Sequence, residues 1–314
     1  MPKELTADEA RHIIGVQANI WTEYMPTFKQ MQYMALPRLA ALSEVQWSQP
    51  ALKDYNSFTN RLTEFTHLYD RLGYNYAKHL YNVAIHVDSD NKWREILIHM
   101  TTAGNAEIRY TLDGTEPTAN STLYTGAIVL QKSAKIRAAV FRDGKRSSVT
   151  SQDISFNKAT ACHVELLQPT HKNYTYKGGA TLTDGLLGDK GFGTGRWLGF
   201  SGNDLEAVID LKQNTDVSSV SLNTCVDKGS WIFDARNIEV SVSADSKSFT
   251  KVASKSLPAL EEQTPDNIYT YELTFPQTTT RYVKVTATSE HNIPEWHGGK
   301  GKPAFLFVDE ISVK

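Results

Sequence analysis

The chain has 314 residues, 33 basic and 35 acidic, giving a formal charge of −2, with 40% hydrophobic and 22% charged side chains. That length suits two or three domains with separate cores, and that composition excludes a disordered chain. The near-neutral balance excludes an electrostatic footprint for nucleic acid or an anionic membrane, and no apolar run reaches the roughly 18 residues of a membrane span.

The opening MPKELTADEA lacks the basic and apolar regions and the cleavage site of a signal peptide, so any targeting signal of a longer precursor is expected upstream. Within it, Thr6-Ala7-Asp8-Glu9 has the form of a capping box and predicts a short helix. Residues 13–24 form an apolar run with a polar, aromatic tip, the pattern of a buried parallel strand that delivers side chains to a site at its carboxyl end. Trp21 and Glu23 share a face of that strand. A sugar ring needs such a pair, a flat apolar surface beside an acceptor for adjacent hydroxyls. The same spacing also fits an ordinary core strand ending in an aromatic residue.

Residues 26–47 read as a helix with Met31, Met34, Ala35, Leu39 and Leu42 on one side. Next, Tyr55, Phe58, Leu62, Phe65, Tyr69 and Leu72 recur at helical spacing, with Asp54 as N-cap and Gly73 as a left-handed stop. Both helices present apolar faces that need a partner, and an exposed stripe of this size favours association.

From about residue 83 the pattern alternates. Ile96, Ile98 and Met100 point one way, Ile108, Tyr110 and Leu112 lead into a turn at Asp113-Gly114, and Ile136, Ala138 and Val140 precede a turn at Asp143-Gly144. Short strands with turns between them predict an immunoglobulin-like β-sandwich. Trp93 and Tyr110 are aromatics able to stack on a sugar, but core packing is the commoner use and no site is assigned there. From about residue 157 a third unit begins, with strands expected at 208–211, 217–222, 238–242, 269–273, 282–285 and 305–313, a jelly-roll β-sandwich. Cys162 and Cys225 allow one disulfide or two buried thiols.

The runs GVQANIWTEY, YMALPRLAALSEVQWS and YNSFTNRLTEFTHLYDRLGYNYA, in that order, resemble the end of the (β/α)8 catalytic barrel of family 20 glycoside hydrolases, the β-N-acetylhexosaminidases. The resemblance implies that Trp21 lines the substrate pocket and Glu23 holds hydroxyls of the terminal sugar. Chemistry in that family is substrate-assisted: the acetamido oxygen attacks the anomeric carbon, an Asp orients it, and the adjacent Glu protonates the leaving oxygen. The Asp-Glu pairs Asp8-Glu9 and Asp309-Glu310 lie in a capping box and an apolar strand, so neither is assigned catalysis. The chain is expected to be inactive alone, and no cofactor for catalysis is implied.

The words RYTLDGTEPTANSTLYTG and KIRAAVFRDGKRSS resemble the chitobiase/hexosaminidase C-terminal module, a spacer. LTDG…GRWLGF, SWIFDARNIEVSVSADSKSF, RYVKVTA and PEWHGGKGKPAFLFVDEISV resemble discoidin-like domains, which include family 32 carbohydrate-binding modules. This implies a structural calcium ion at Asp184, Asp189, Thr194 and Glu310, or a loop held by hydrogen bonds alone. It also implies a buried Trp197. Trp296 and His297 in one loop and Trp231 and Phe233 in another are the aromatics expected to reach the sandwich rim; for sugar stacking Trp296 and His297 come first and Trp231, which also suits a core position, second.

The chain is thus divided into 1–82, a barrel remnant; 83–156, a spacer; and 157–314, a discoidin-like domain. The partners implied are glycans with terminal N-acetylhexosamine, and the missing barrel portion or a second copy of the chain. By resemblance the protein is placed in the periplasm or outside the cell. The alternative is a free-standing carbohydrate-binding or adhesion protein.

Overall fold

A computed structural model of the chain describes residues 5–142 and 144–314, with the backbone alone at Asn105. Helix α1 (Ala7–Ala10) begins as its capping box predicts: the Glu9 amide donates to the Thr6 hydroxyl (3.3 Å) and the Thr6 amide to the Glu9 carboxylate (2.8 Å). The strand expected over 13–24 does not form. The segment runs open, with Ile14 fully exposed and Trp21 71% exposed. A parallel strand needs neighbours for its N–H and C=O groups, whereas this one is met by Gln46, whose Nε2 donates to the Val16 carbonyl (2.5 Å).

The helix expected over 26–47 is two helices, α2 (Phe28–Ala35) and α3 (Arg38–Trp47), parted at Pro37. Proline has no N–H to continue the ladder and pushes the preceding residue out of the helical region; Leu36 accordingly lies extended at φ −102, ψ 135. Helix α4 (Tyr55–Leu72) starts where the Ser57 amide donates to Asp54 Oδ1 (2.6 Å) and stops at Gly73 with φ 71. Its face is only half covered: Leu62 and Tyr69 are buried, while Tyr55, Phe65 and Leu72 are exposed.

The second unit is a small sandwich. One sheet joins β1 (Ala84–Asp90), β2 (Glu95–Thr101) and, in chain order after β3 (Glu107–Thr111) and β4 (Thr122–Leu123), β5 (Ile128–Leu130). The other runs β4-β3-β6-β7 with β8 (Thr150–Ile154) also on β6, where β6 is Ala134–Arg142 and β7 Lys145–Arg146. Ile96, Ile98, Met100, Ile108, Ile136, Ala138 and Val140 meet in one core, the inward set the alternation predicts. Of the two turns, Asp113-Gly114 forms with Gly114 at φ 87, and Gly144 has φ 71 while Asp143 lies outside the described residues.

The third unit comprises β9 (His163–Leu166), β10 (Leu198–Ser201), β11 (Leu205–Cys225), β12 (Asn237–Ser243), β13 (Thr250–Ser256), β14 (Ile268–Thr288), β15 (Phe305–Val308) and β16 (Ser312–Val313). The strands expected at 208–211 and 217–222 are one continuous strand, β11, and those at 269–273 and 282–285 are one, β14. Register shifts between Asp210 and Thr215 and between Val217 and Ser219 let the β11–β14 pair bend without ending its ladder. The first part of β11 pairs with β9 and the second with β15 and β16, while the last part of β14 pairs with β12. The pair thereby serves both layers of a jelly-roll sandwich around its main apolar core.

The second and third units meet through backbone. The Ser155 amide donates to the Gly185 carbonyl (3.0 Å). Side chains add Arg196 Nη2 to Gln152 Oε1 (2.8 Å), and Lys177 Nζ donating to the Val87 carbonyl.

Candidate functional sites

The opening segment carries the first candidate pair. Trp21 and Glu23 lie two residues apart on an exposed stretch that ends at α2, and both side chains face solvent. The helices behind them, α3 and α4, enclose an apolar groove lined by Leu39, Trp47, Phe58 and Phe65, with Arg61 bridging to Glu44 (2.7 Å) at its edge. The two Asp-Glu pairs have other work. Glu9 closes the α1 cap, and Asp309 and Glu310 are 0% and 1% exposed.

Those two buried acids belong to the second candidate. Asp309 accepts from the amides of Gly188 (2.8 Å) and Asn223 (3.0 Å) and from Asn223 Nδ2 (2.7 Å). Glu310 accepts from Asn157 Nδ2 and from the Gly185 amide, both at 3.0 Å. Asp184, 2% exposed, accepts from the Leu186 amide (3.0 Å). Burial pushes Asp184 up to about 7 and Asp309 up to about 6. Glu310 rises well above the usual carboxylate range, first through burial and then through the charge of Asp184. The structure thus brings Asp184 and Glu310 together and adds Asp309, a residue the sequence reading had considered only as half of a catalytic pair.

Asp189 and Thr194 do something different: Thr194 Oγ1 donates to Asp189 Oδ1 (3.1 Å), which also accepts from the Gly191 amide (3.1 Å), closing a turn of their own. Asp189 further lies 3.8 Å from Arg196. No group of three His, Cys, Asp or Glu residues arranged to hold a metal occurs among the described residues. Two buried carboxylates whose charges repel still fit a hard cation, which would offset their desolvation.

The third candidate is an aromatic cluster near one end of the sandwich. Phe233, 1% exposed, stacks on Trp296 at 5.9 Å and meets His297 edge-on at 5.4 Å, and Trp231 lies edge-on to His297 at 6.2 Å. His297 Nδ1 accepts from the Gly299 amide (3.0 Å), so the ring proton sits on Nε2, which donates to the Lys228 carbonyl (2.9 Å). Both ring nitrogens are therefore engaged within the protein, and His297 buttresses the indoles. Trp231, at φ 65, rests over Gly299, where a Cβ would come within 3.1 Å of its ring, and Lys302 Nζ lies 5.4 Å from the ring centre. Trp231 and Trp296 each stay half-buried, so part of each indole faces solvent. Phe233, expected at the rim with Trp231, is buried instead, and Lys228 and Lys302 escaped the sequence reading.

Trp197 is fully buried, as expected, and its Nε1 donates to the Asp189 carbonyl (2.9 Å). Cys162 and Cys225 are both buried and unbridged, the thiol of Cys225 pushed up to about 11 by burial.

Three family models match successive parts of the chain: the catalytic domain of glycosyl hydrolase family 20 over residues 1–50, an Fn3-associated model over 97–154, and the F5/8 type C domain over 158–301. Among curated proteins, a beta-hexosaminidase of Porphyromonas gingivalis is 38% identical over 152 residues, 48% of this chain and 19% of that protein. A beta-N-acetylhexosaminidase of Cellulomonas fimi is 39% identical over 62 residues, 20% of this chain and 12% of that one. The chain thus spans about a fifth or less of the length of these relatives. Similar solved structures include chitosan-binding module 1 of a Paenibacillus sp. IK-5 chitosanase/glucanase, with TM-score 0.34 and 18% identity over 51% of this chain and 98% of that one. The lectin domain of lectinolysin, complexed with Lewis B antigen, gives TM-score 0.34 and 18% identity over 51% of this chain and 97% of that one.

Proposed function

We propose that this chain, which carries the end of a family 20 glycoside hydrolase catalytic domain followed by an Fn3-associated unit and an F5/8 type C domain, is the carboxyl-terminal part of a β-N-acetylhexosaminidase. The whole enzyme would remove terminal N-acetylhexosamine from glycans in the periplasm or outside the cell. The observation that carries this is the open segment 13–24, an apolar strand sequence lying exposed with Trp21 and Glu23 in solvent. Such a run is at rest only between neighbouring strands, and in a completed barrel it would bring both side chains to the rim where substrate binds.

In that setting Trp21 stacks on the sugar ring and the Glu23 carboxylate accepts from its hydroxyls. The proton donor lies on polypeptide outside this sequence, since both Asp-Glu pairs here are structural. The Trp231–Trp296 pair would hold a glycan by stacking, with His297 fixing the geometry. A structural calcium ion would be held by Asp184 and Glu310, pinning the 184–188 loop to the residues that follow β15.

The test is release of chromophore from a chromogenic N-acetylglucosaminide. The chain alone should give none above buffer, and the chain joined to a family 20 barrel lacking its last strand should turn over. In the joined protein Glu23→Gln should lower kcat/KM about 10- to 100-fold, the worth of hydrogen bonds to a charged acceptor. Turnover by the isolated chain that vanishes in Glu23→Gln contradicts the proposal. A second reading, a free-standing carbohydrate-binding or adhesion protein, draws on the same half-exposed indoles. Failure of the joined protein to turn over, with glycan binding intact, favours it.

A further inference from the structure

Strands β1 and β2 are joined by Asn91-Lys92-Trp93-Arg94. Asp90 Oδ1 accepts from the amides of Lys92 (2.8 Å) and Trp93 (3.2 Å), and Arg94 closes the turn at φ 56. So held, Trp93 is 64% exposed, with Lys92 Nζ 4.9 Å from its ring centre. An indole in water adds nothing to a core, and a flat apolar face beside a cation is a recognition surface. Trp93 also lines a cleft of about 730 Å³ between the second and third units, shared with Arg94, Gln131, Phe156, Lys158 and Ser312. That volume suits an oligosaccharide segment.

The charges are one-sided. Every charged side chain lining the cleft is cationic. The nearby acids are occupied, Asp90 by the turn amides and Glu95 by Gln131 Nε2 (2.7 Å). Of the cations, Lys314 pairs with Glu272 (3.2 Å), and Lys158 Nζ donates to the Asp216 carbonyl (2.6 Å). Arg94 uses Nη2 for the Lys158 carbonyl (2.6 Å), while its Nε is buried without a partner. Lys92 and Arg94 thus remain beside the indole with donors to give.

We propose that this cleft binds an anionic glycan, one sugar ring stacked on Trp93 and its carboxylate or sulfate group met by Lys92 and Arg94. The site shares no residue with the Trp231–Trp296 cluster and does not rest on the hexosaminidase proposal.

Calorimetric titration of the full chain with a heparin hexasaccharide, an oligogalacturonate and chitohexaose tests it. At least one acidic oligosaccharide should bind, the sulfated or the carboxylated ligand identifying the group recognised. Trp93→Ala and Arg94→Gln should each weaken that binding about tenfold or more, while Trp296→Ala leaves it unchanged. Trp93 is exposed, so its replacement spares the fold, which circular dichroism checks. Absence of binding by both acidic ligands, binding that survives Trp93→Ala, or equal Trp93-dependent binding of neutral chitohexaose each overturns the proposal.

Discussion

Asp184 and Glu310 lie in the interior with amide donors and, among the described residues, no paired cation, and each is held toward its protonated form. A calcium ion would reverse that balance by stabilising both as carboxylates. Calcium at a hundredfold excess over its dissociation constant should add about 2.7 kcal/mol, a rise of a few degrees in Tm that a chelator reverses. Glu310→Gln should abolish the rise, and identical melts of the native chain with calcium and with chelator would remove the metal from the account. At this scale the sequence revealed residue types better than occupancy. Asp184 and Glu310 could be paired by resemblance, whereas Asp309 joined them through Gly188 and Asn223, partners 121 and 86 residues away. The engagement of both His297 nitrogens was equally hidden, since one acceptor is the carbonyl of Lys228, 69 residues off.

Among the elements, the loop before β10 depends on one absent side chain. A Cβ on Gly188 would fall 2.2 Å from the Trp197 ring, and the indole, anchored to the Asp189 carbonyl, has little room to swing. Gly188→Ala should cost about 3 kcal/mol, at the upper end for overpacking, measured as a lowered urea midpoint; an unchanged midpoint would mean that the ring can shift. Elements set by local signals were legible. Helix α4 has its cap, period and stop all within its own sequence. The 13–24 strand was not, because a strand is completed by neighbours, and the break at Pro37 was missed because apolar periodicity continues across it. The halves of β11 and β14 were read as separate strands for a similar reason: polar residues at 212–216 look like a loop, yet the ladder resumes beyond the shift at Asp210.

For the whole molecule, exposed large apolar side chains are concentrated at one end. Of the 23 among the described residues, 17 lie between Leu5 and Tyr74, so the helical end is the part that seeks cover. In the absence of other chains, light scattering after size exclusion should find dimers or larger species at micromolar concentration. Trp47→Glu with Phe65→Glu, both lining the groove between α3 and α4, should shift the chain to monomer. A native chain that is already monomeric would contradict a self-seeking face. The two β units behave otherwise. Bonds from Ser155 to Gly185, from Arg196 to Gln152 and from Lys177 to Val87 replace the slack of a Gly/Ser tether. A swing of one unit against the other would have to break those bonds together, so the join resists bending where a loose linker would yield.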